Sequence, residues 1–162
     1  MIEDIQVIKS TNKFHLLNIN ENGVFKTIKL FLKNVELPFG VEEYKNKYII
    51  NIELSNNSEY EKIIRLLEKN IHAILDLDIE YDRIDLNSVF HKKPKHKLLC
   101  RTNIKKTKNK IVIIFVNKNN EEISIFDIPK NLNCNIELEI SGIWKHKFNY
   151  GIYIHVISIH EL

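Results

Sequence analysis

CNIELEISGIWKHKFNYGIYIHVISI, residues 134 to 159, is the stretch whose reading decides the fold. In 134–144, Ile136, Leu138 and Ile140 alternate with Asn135, Glu137, Glu139 and Ser141. Strand side chains point to opposite faces with period two, so the first set is buried and the second solvated. KHKFNYG makes a turn, and GIYIHVISI (151–159) returns as a closing strand. Strict alternation sets Trp144 on the core face, whereas a bulge at Gly142 turns it outward. Both placements stay open at this point.

The rest of the chain supplies partners for this pair. KIVIIFV (110–116), the turn NKNN and EEISIFDI (121–128) read as a second hairpin. Upstream, strands are expected at 5–9, 14–19, 24–33 and 47–54, punctuated at Asn20–Gly23 and Lys45-Asn46, with an irregular connection at Pro38 and Gly40. One amphipathic helix is expected at about residues 58–75. Ser58 and Glu61 form a capping box there, and Tyr60, Ile63, Ile64, Leu67, Ile71 and Ile74 recur at helical spacing. The fold class is therefore mainly β with one helix: a small β-barrel with an N-terminal β extension, spanning 1–162 as one domain.

Charge is lopsided. The chain nets +3, yet none of its 21 acids falls between Leu86 and Asn120, which hold ten Lys and Arg; the remainder nets 14 minus 21, or −7. An abundance of Ile, Asn and Lys fits an AT-rich genome, but codon bias does not remove acids. A basic stripe on an otherwise acidic molecule is a footprint for a polyanion. Lys92, Lys93, Lys95, Lys97, Arg101, Lys105 and Lys106 are its candidate contacts.

A second signal is VFKTIKLFLK, 24–33. Read as one strand, it lines up Phe25, Thr27, Lys29, Phe31 and Lys33 on the face opposite Ile28, Leu30 and Leu32. Aromatics interleaved with lysines suit single-stranded nucleic acid, because bases stack on the rings while amines follow the phosphates. Phe25, Lys29, Phe31 and Lys33 are candidates on that ground. Phe126, Trp144, Lys145, Lys147 and Tyr153 join them, with Phe148, Tyr150 and His155 nearby.

Other chemistries have thinner support. No GxSxG, P-loop, HExxH or dinucleotide fingerprint is present, so no enzyme is expected. A metal-dependent nuclease would have to use Asp76, Asp78, Glu80 and Asp82, which share strand parity but lack converging partners. His91, His96, Cys100 and Cys134 lack zinc-ligand spacing, and the two cysteines read as reduced thiols. No cofactor is called for. MIEDIQVIKS is acidic where a signal peptide is basic, and no apolar run reaches a membrane span, so an intracellular protein without a membrane partner is expected.

ELEISGIWKHKFNYGIYIHVISI (137–159) resembles the end of single-stranded DNA-binding proteins of large double-stranded DNA viruses. An apolar strand ends in Gly142-Ile143-Trp144, a basic turn follows, then Gly151 and a final strand. PFGVEEYKNKYIINIEL (38–54) resembles that group's approach to its helix. The resemblance implies an OB-fold that coats single-stranded DNA during viral replication, in the host cytoplasm (a virus factory) or nucleus. Relatives of this type end in an acidic tail that recruits partners, and ISIHEL does not match it. The sequence does not separate DNA from RNA, nor set the oligomeric state or contacts with replication proteins. The rival expectation is an accessory subunit of a replication or transcription complex, with its aromatics meeting another protein.

Overall fold

The computed structural model describes residues 4–11, 14–54, 58–71 and 85–162. Its N-terminal extension is an antiparallel set: β1 (Ile5–Ser10) pairs with β2 (Phe14–Glu21), and β3 (Val24–Lys26) folds back on β2. Asn22 and Gly23, at φ of 53° and 83°, make the two-residue turn between β2 and β3. Asn-Gly is the pair that tolerates positive φ at both central positions of a hairpin.

A ring of five strands follows. β4 (Ile28–Leu37) and β6 (Lys47–Glu53) precede α1 (Ser58–Lys69), while β9 (Leu99–Ile104), β14 (Leu132–Lys145) and β15 (Asn149–Glu161) come after it. The pairing order is β14-β4-β6-β9-β15, and β15 pairs with β14 again, which closes the barrel. Every pairing in the ring is antiparallel except β9 with β15, where Asn103 stands opposite His155. Closure removes the free edges a five-stranded sheet would leave. Around the ring lie β5 (Val41–Tyr44), which hairpins with β6, and the short strands β7 (Asp85–Leu86) and β8 (Phe90–His91). β10 (Lys106–Thr107) pairs with β11 (Lys110–Ile111), and β12 (Ile114–Val116) pairs with β13 (Glu122–Ile123) and with β15. The result is an OB-like barrel with one α-helix among the described residues, as the strand pattern predicts.

The alternation holds over 132–140 and 152–157, but Ser141, expected outward, is buried at the register shift before Gly142. Ile136, Leu138, Ile140, Ile154 and Val156 are fully buried and share one core with Leu32 of the adjacent β4 and with Ile50 and Ile52 of β6. Each such side chain contributes about 1.5–3 kcal/mol on burial. α1 buries Ile64 and Leu67 in the same core, joined by Ile71 just past its end. Its buried Glu68 accepts from the Ser88 hydroxyl at 2.8 Å and the Val89 amide at 3.1 Å. Burial raises the Glu68 pKa against the pull of these two bonds and of Arg65.

Three expectations need correction. The extension is smaller than the whole first half, because β4 and β6 belong to the ring. The strand expected at 24–33 is two strands: β3 pairs with β2 and β4 with β14, so the pairing partner changes at Thr27. Residues 110–116 likewise divide into β11 and β12, and 121–128 ends in a 3-10 turn at Ile125–Asp127. There the Ser124 hydroxyl accepts from the Phe126 amide at 3.4 Å, diverting the backbone from the ladder. The acidic residues Asp76, Asp78, Glu80 and Asp82, and the helical positions beyond 71, lie outside the described residues.

Candidate nucleic-acid interface

On the outward face of the ring, beside the start of β2, lies a groove of about 760 Å³. Its floor comes from the outward residues of adjacent strands: Ile49 of β6 faces Asn103 of β9, and Arg101 and Tyr153 lie beside them. The β5–β6 hairpin gives one wall with Tyr44, Lys45 and Lys47, where positive φ at Lys45 (48°) and Asn46 (61°) makes the tight turn. The β14–β15 turn gives the other wall with Trp144, Lys145 and His146. The segment Asn87–Val89, held by Glu68, closes one end. Among the described residues no Asp or Glu lines the groove.

Its aromatics are already ordered. Tyr153 stacks on His155 with centroids 5.5 Å apart and planes 10° from parallel, and the Phe14 ring of β2 lies 5.6 Å from it, tilted by 53°. Lys47 donates to the Tyr153 hydroxyl at 3.3 Å, and the Arg101 guanidinium lies 4.9 Å over the Tyr44 ring. Held rings lose little entropy when a base stacks on them.

Trp144 is half-buried and lines the groove. The β14–β15 register shifts between Ile140 and Gly142, so Ile143 takes the core position and Trp144 turns out. The bulged placement is therefore the one found. Gly151, paired with Trp144, leaves room for the indole: a Cβ there would lie 2.8 Å from Trp144 Cζ2 and 2.8 Å from Asn87 O.

His155 is neutral. Burial, then Lys105 and Lys47, push its pKa down to about 4. The unfolded chain takes up a proton near the ordinary value of 6.5, so the unfolded state binds more protons below it. This group should therefore lower the melting temperature as pH falls from about 6.5 toward about 4. Thermal melts across that window, compared with His155→Gln, should show a smaller pH dependence in the variant. An unchanged dependence would mean that the imidazole is protonated in the fold.

Of the sequence candidates, Arg101, Trp144, Lys145 and Tyr153 come together in the groove. Phe25, Lys29, Phe31 and Lys33 stand outside it. Phe25 is half-exposed on the β2–β3 hairpin. Lys29 and Phe31 lie on the outer face of β4, beside Glu139 and Glu137 of β14, and Lys29 pairs with Glu137 at 3.3 Å. The Tyr60 hydroxyl donates to the Phe31 carbonyl. Lys92, Lys93, Lys95 and Lys97 are exposed between β8 and β9, where Lys93 approaches Glu42 at 3.7 Å. Lys147 lies over Phe148 at the tip of the β14–β15 turn. Lys105, Lys106 and Phe126 cluster beyond the Lys47 end.

The sequence reading passes over Phe14, Tyr44, Lys45, Lys47, Ile49 and Asn103. EYKNKY, 43–48, interleaves aromatic and lysine just as 24–33 does, but a turn signal at Lys45-Asn46 draws attention from its cations. Phe14 carries no local signal, since only tertiary pairing brings it to Tyr153.

Among the described residues no three His, Cys, Asp or Glu side chains gather as metal ligands. Cys100 and Cys134 are buried and their thiols are pushed up by burial, Cys134 to about 12. His96 sits edge-on to Phe39 and 3.5 Å from Glu53. No helix among the described residues is long and apolar enough to cross a membrane.

No protein-family model and no curated protein matches the chain. Solved structures do. The single-stranded DNA-binding protein from bacteriophage Enc34, in complex with ssDNA, superposes with a TM-score of 0.56 at 15% identity, over 99% of this chain and 96% of that one. Its C-terminal truncation gives 0.56 at 16% identity, covering 98% and 93%. Gp2.5, a single-stranded DNA-binding protein encoded by bacteriophage T7, gives 0.53 at 6% identity over 84% and 86%. At these identities the likeness is one of fold: the chain has the architecture of these bacteriophage single-stranded DNA-binding proteins.

Proposed function

We propose that the groove binds single-stranded DNA without strong sequence preference, and that the chain coats such strands in viral DNA replication. Bases stack on Phe14, Tyr153 and Trp144, while Lys45, Lys47, Arg101 and Lys145 take phosphates. The observation that carries this reading is the coincidence of an ordered aromatic row with four cations in a groove that, among the described residues, no carboxylate lines. A base is worth about 1–3 kcal/mol on such a ring whatever its identity, because every base has a π-face. Position supports it too: the faces of the second and third barrel strands and the two neighbouring loops are where OB-folds take oligonucleotides. Here those are β6, β9, the β5–β6 hairpin and the β14–β15 turn. The likeness in fold to a protein solved with ssDNA agrees. The exposed lysines of 92–97 add a long-range field that draws the polyanion in. Binding of this kind uses no cofactor and no catalysis, and places the protein where viral DNA is copied, in the host cytoplasm or nucleus.

Gel shifts with labelled single strands across a salt series test this. Four neutralised phosphates predict a slope of log K against log salt of roughly −3. Lys47→Ala should flatten the slope by about 0.7. Competitor RNA and duplex in the same lanes measure the preference for DNA single strands. A flat salt response, or duplex competing as well as single strands, would sink the reading. Magnesium-dependent degradation of the probe would replace it with nuclease activity.

A further inference from the structure

We propose that the strand does not end at the groove but continues past Lys47 and Lys105 onto a second stacking subsite made by Tyr48, Phe126 and Lys106. This rests on the groove being a single-strand site. Arg101, Asn103 and Lys105 are alternate residues of β9 and its extension, and Lys47 and Ile49 follow the same face on β6. Past Ile49 that face is cationic at its end, with Lys47 and Lys105 both close enough to His155 to depress its pKa. Two amines flanking a neutral imidazole leave uncompensated positive charge at the groove's exit.

Directly beyond it lies a second ordered aromatic pair. Tyr48 packs on the barrel core, and the Phe126 ring meets it edge-on at 5.1 Å. Lys106 Nζ sits 4.8 Å over the Tyr48 ring. Phe126 is 54% exposed although its backbone is fixed by the Ser124 cap. An exposed ring held by a cap and a neighbouring ring, with a lysine over that neighbour, repeats the groove's own combination of stacking face and phosphate partner. The far side of Phe126 borders a hollow of about 330 Å³ that Glu122 also lines. A phosphate there would meet a carboxylate. The backbone therefore runs on the side of Lys105 and Lys106, and the subsite ends the path.

The consequence is a length threshold. Oligothymidines from about 4 to about 16 nucleotides, the range of OB-fold site sizes, should show affinity rising in two stages. Short strands fill the groove alone, and longer ones add the Phe126 subsite. Phe126→Ala should weaken binding of the long strands by about 5- to 100-fold, the equivalent of one lost base stack. The shortest strands that bind should be affected less than twofold. Lys106→Ala should lower the salt slope for long strands by about 0.7 and leave it unchanged for short ones. Phe126 is exposed, so its melting temperature serves as the folding control. Equal effects of Phe126→Ala at all lengths, or none at any length while the groove still binds, would overturn the second subsite and leave the groove reading standing. No binding of any oligomer would overturn both.

Discussion

Tyr153→Ala is expected to weaken single-strand binding by about 1–3 kcal/mol, and Trp144→Ala by a similar amount. Both rings line the groove, and Tyr153 is the middle member of the Phe14–Tyr153–His155 row. Removing a ring removes no phosphate partner, so the salt slope should hold while affinity falls at every salt concentration. Phe25→Ala and Phe31→Ala are the informative comparison. Phe25 is 50% exposed and Phe31 45% exposed, and neither lines the groove. Surface changes of this sort move stability by no more than about 0.5 kcal/mol, and affinity should move as little. Isothermal titration and thermal melts on the four variants decide the matter. A greater loss of affinity from Phe31→Ala than from Tyr153→Ala would put the DNA on the outer face of β4, despite Glu137 and Glu139 beside it.

Gly151→Ala should cost about 1–3 kcal/mol of stability and also impair binding. The new methyl would lie 2.8 Å from Asn87 O and 2.8 Å from Trp144 Cζ2. One obstacle is backbone, and the other is a ring that would have to leave its seat. A double-mutant cycle separates them. In a Trp144→Ala background the indole clash is gone and only the Asn87 contact persists, so Gly151→Ala should then cost measurably less. Denaturant melts of the two single variants and the double variant give the coupling. A coupling of zero would mean that the indole yields freely and that Gly151 serves the Asn87 approach alone.

What the sequence made legible follows the physics of each element. The β14 and β15 alternation reads correctly because a half-buried strand writes its pairing in period two, and Ile136, Leu138 and Ile140 keep that period. β4 reads correctly from Ile28 to Lys33 for the same reason, and its continuation to Leu37 is missed because the period breaks at Asn34, where φ is 51°. The break at Thr27 is missed too, since a strand that changes partner keeps its parity while losing its continuity. Trp144 is illegible by alternation because one shifted residue near Gly142 reverses every side chain after it. The groove is the least legible feature. Its residues come from β2, the β5–β6 hairpin, β9 and the β14–β15 turn, and ring closure alone makes them neighbours. Of the basic residues in the acid-free stripe, only Arg101 lines the groove.

Ring closure also sets when the protein becomes competent. Lys47 and Tyr153, bonded across the groove, are 106 positions apart, and Asn34 bonds to Asn135 across 101. At about 5–20 residues per second, a ribosome needs roughly 5 to 20 s to pass from one half of the binding surface to the other. Throughout that interval β4, β6 and β9 have no β14 or β15 to pair with, and their apolar faces stay open to other nascent chains. Contacts this distant also slow folding once the chain is complete. A newly made chain therefore holds no partial groove; the groove arrives in one step, when β15 closes the ring.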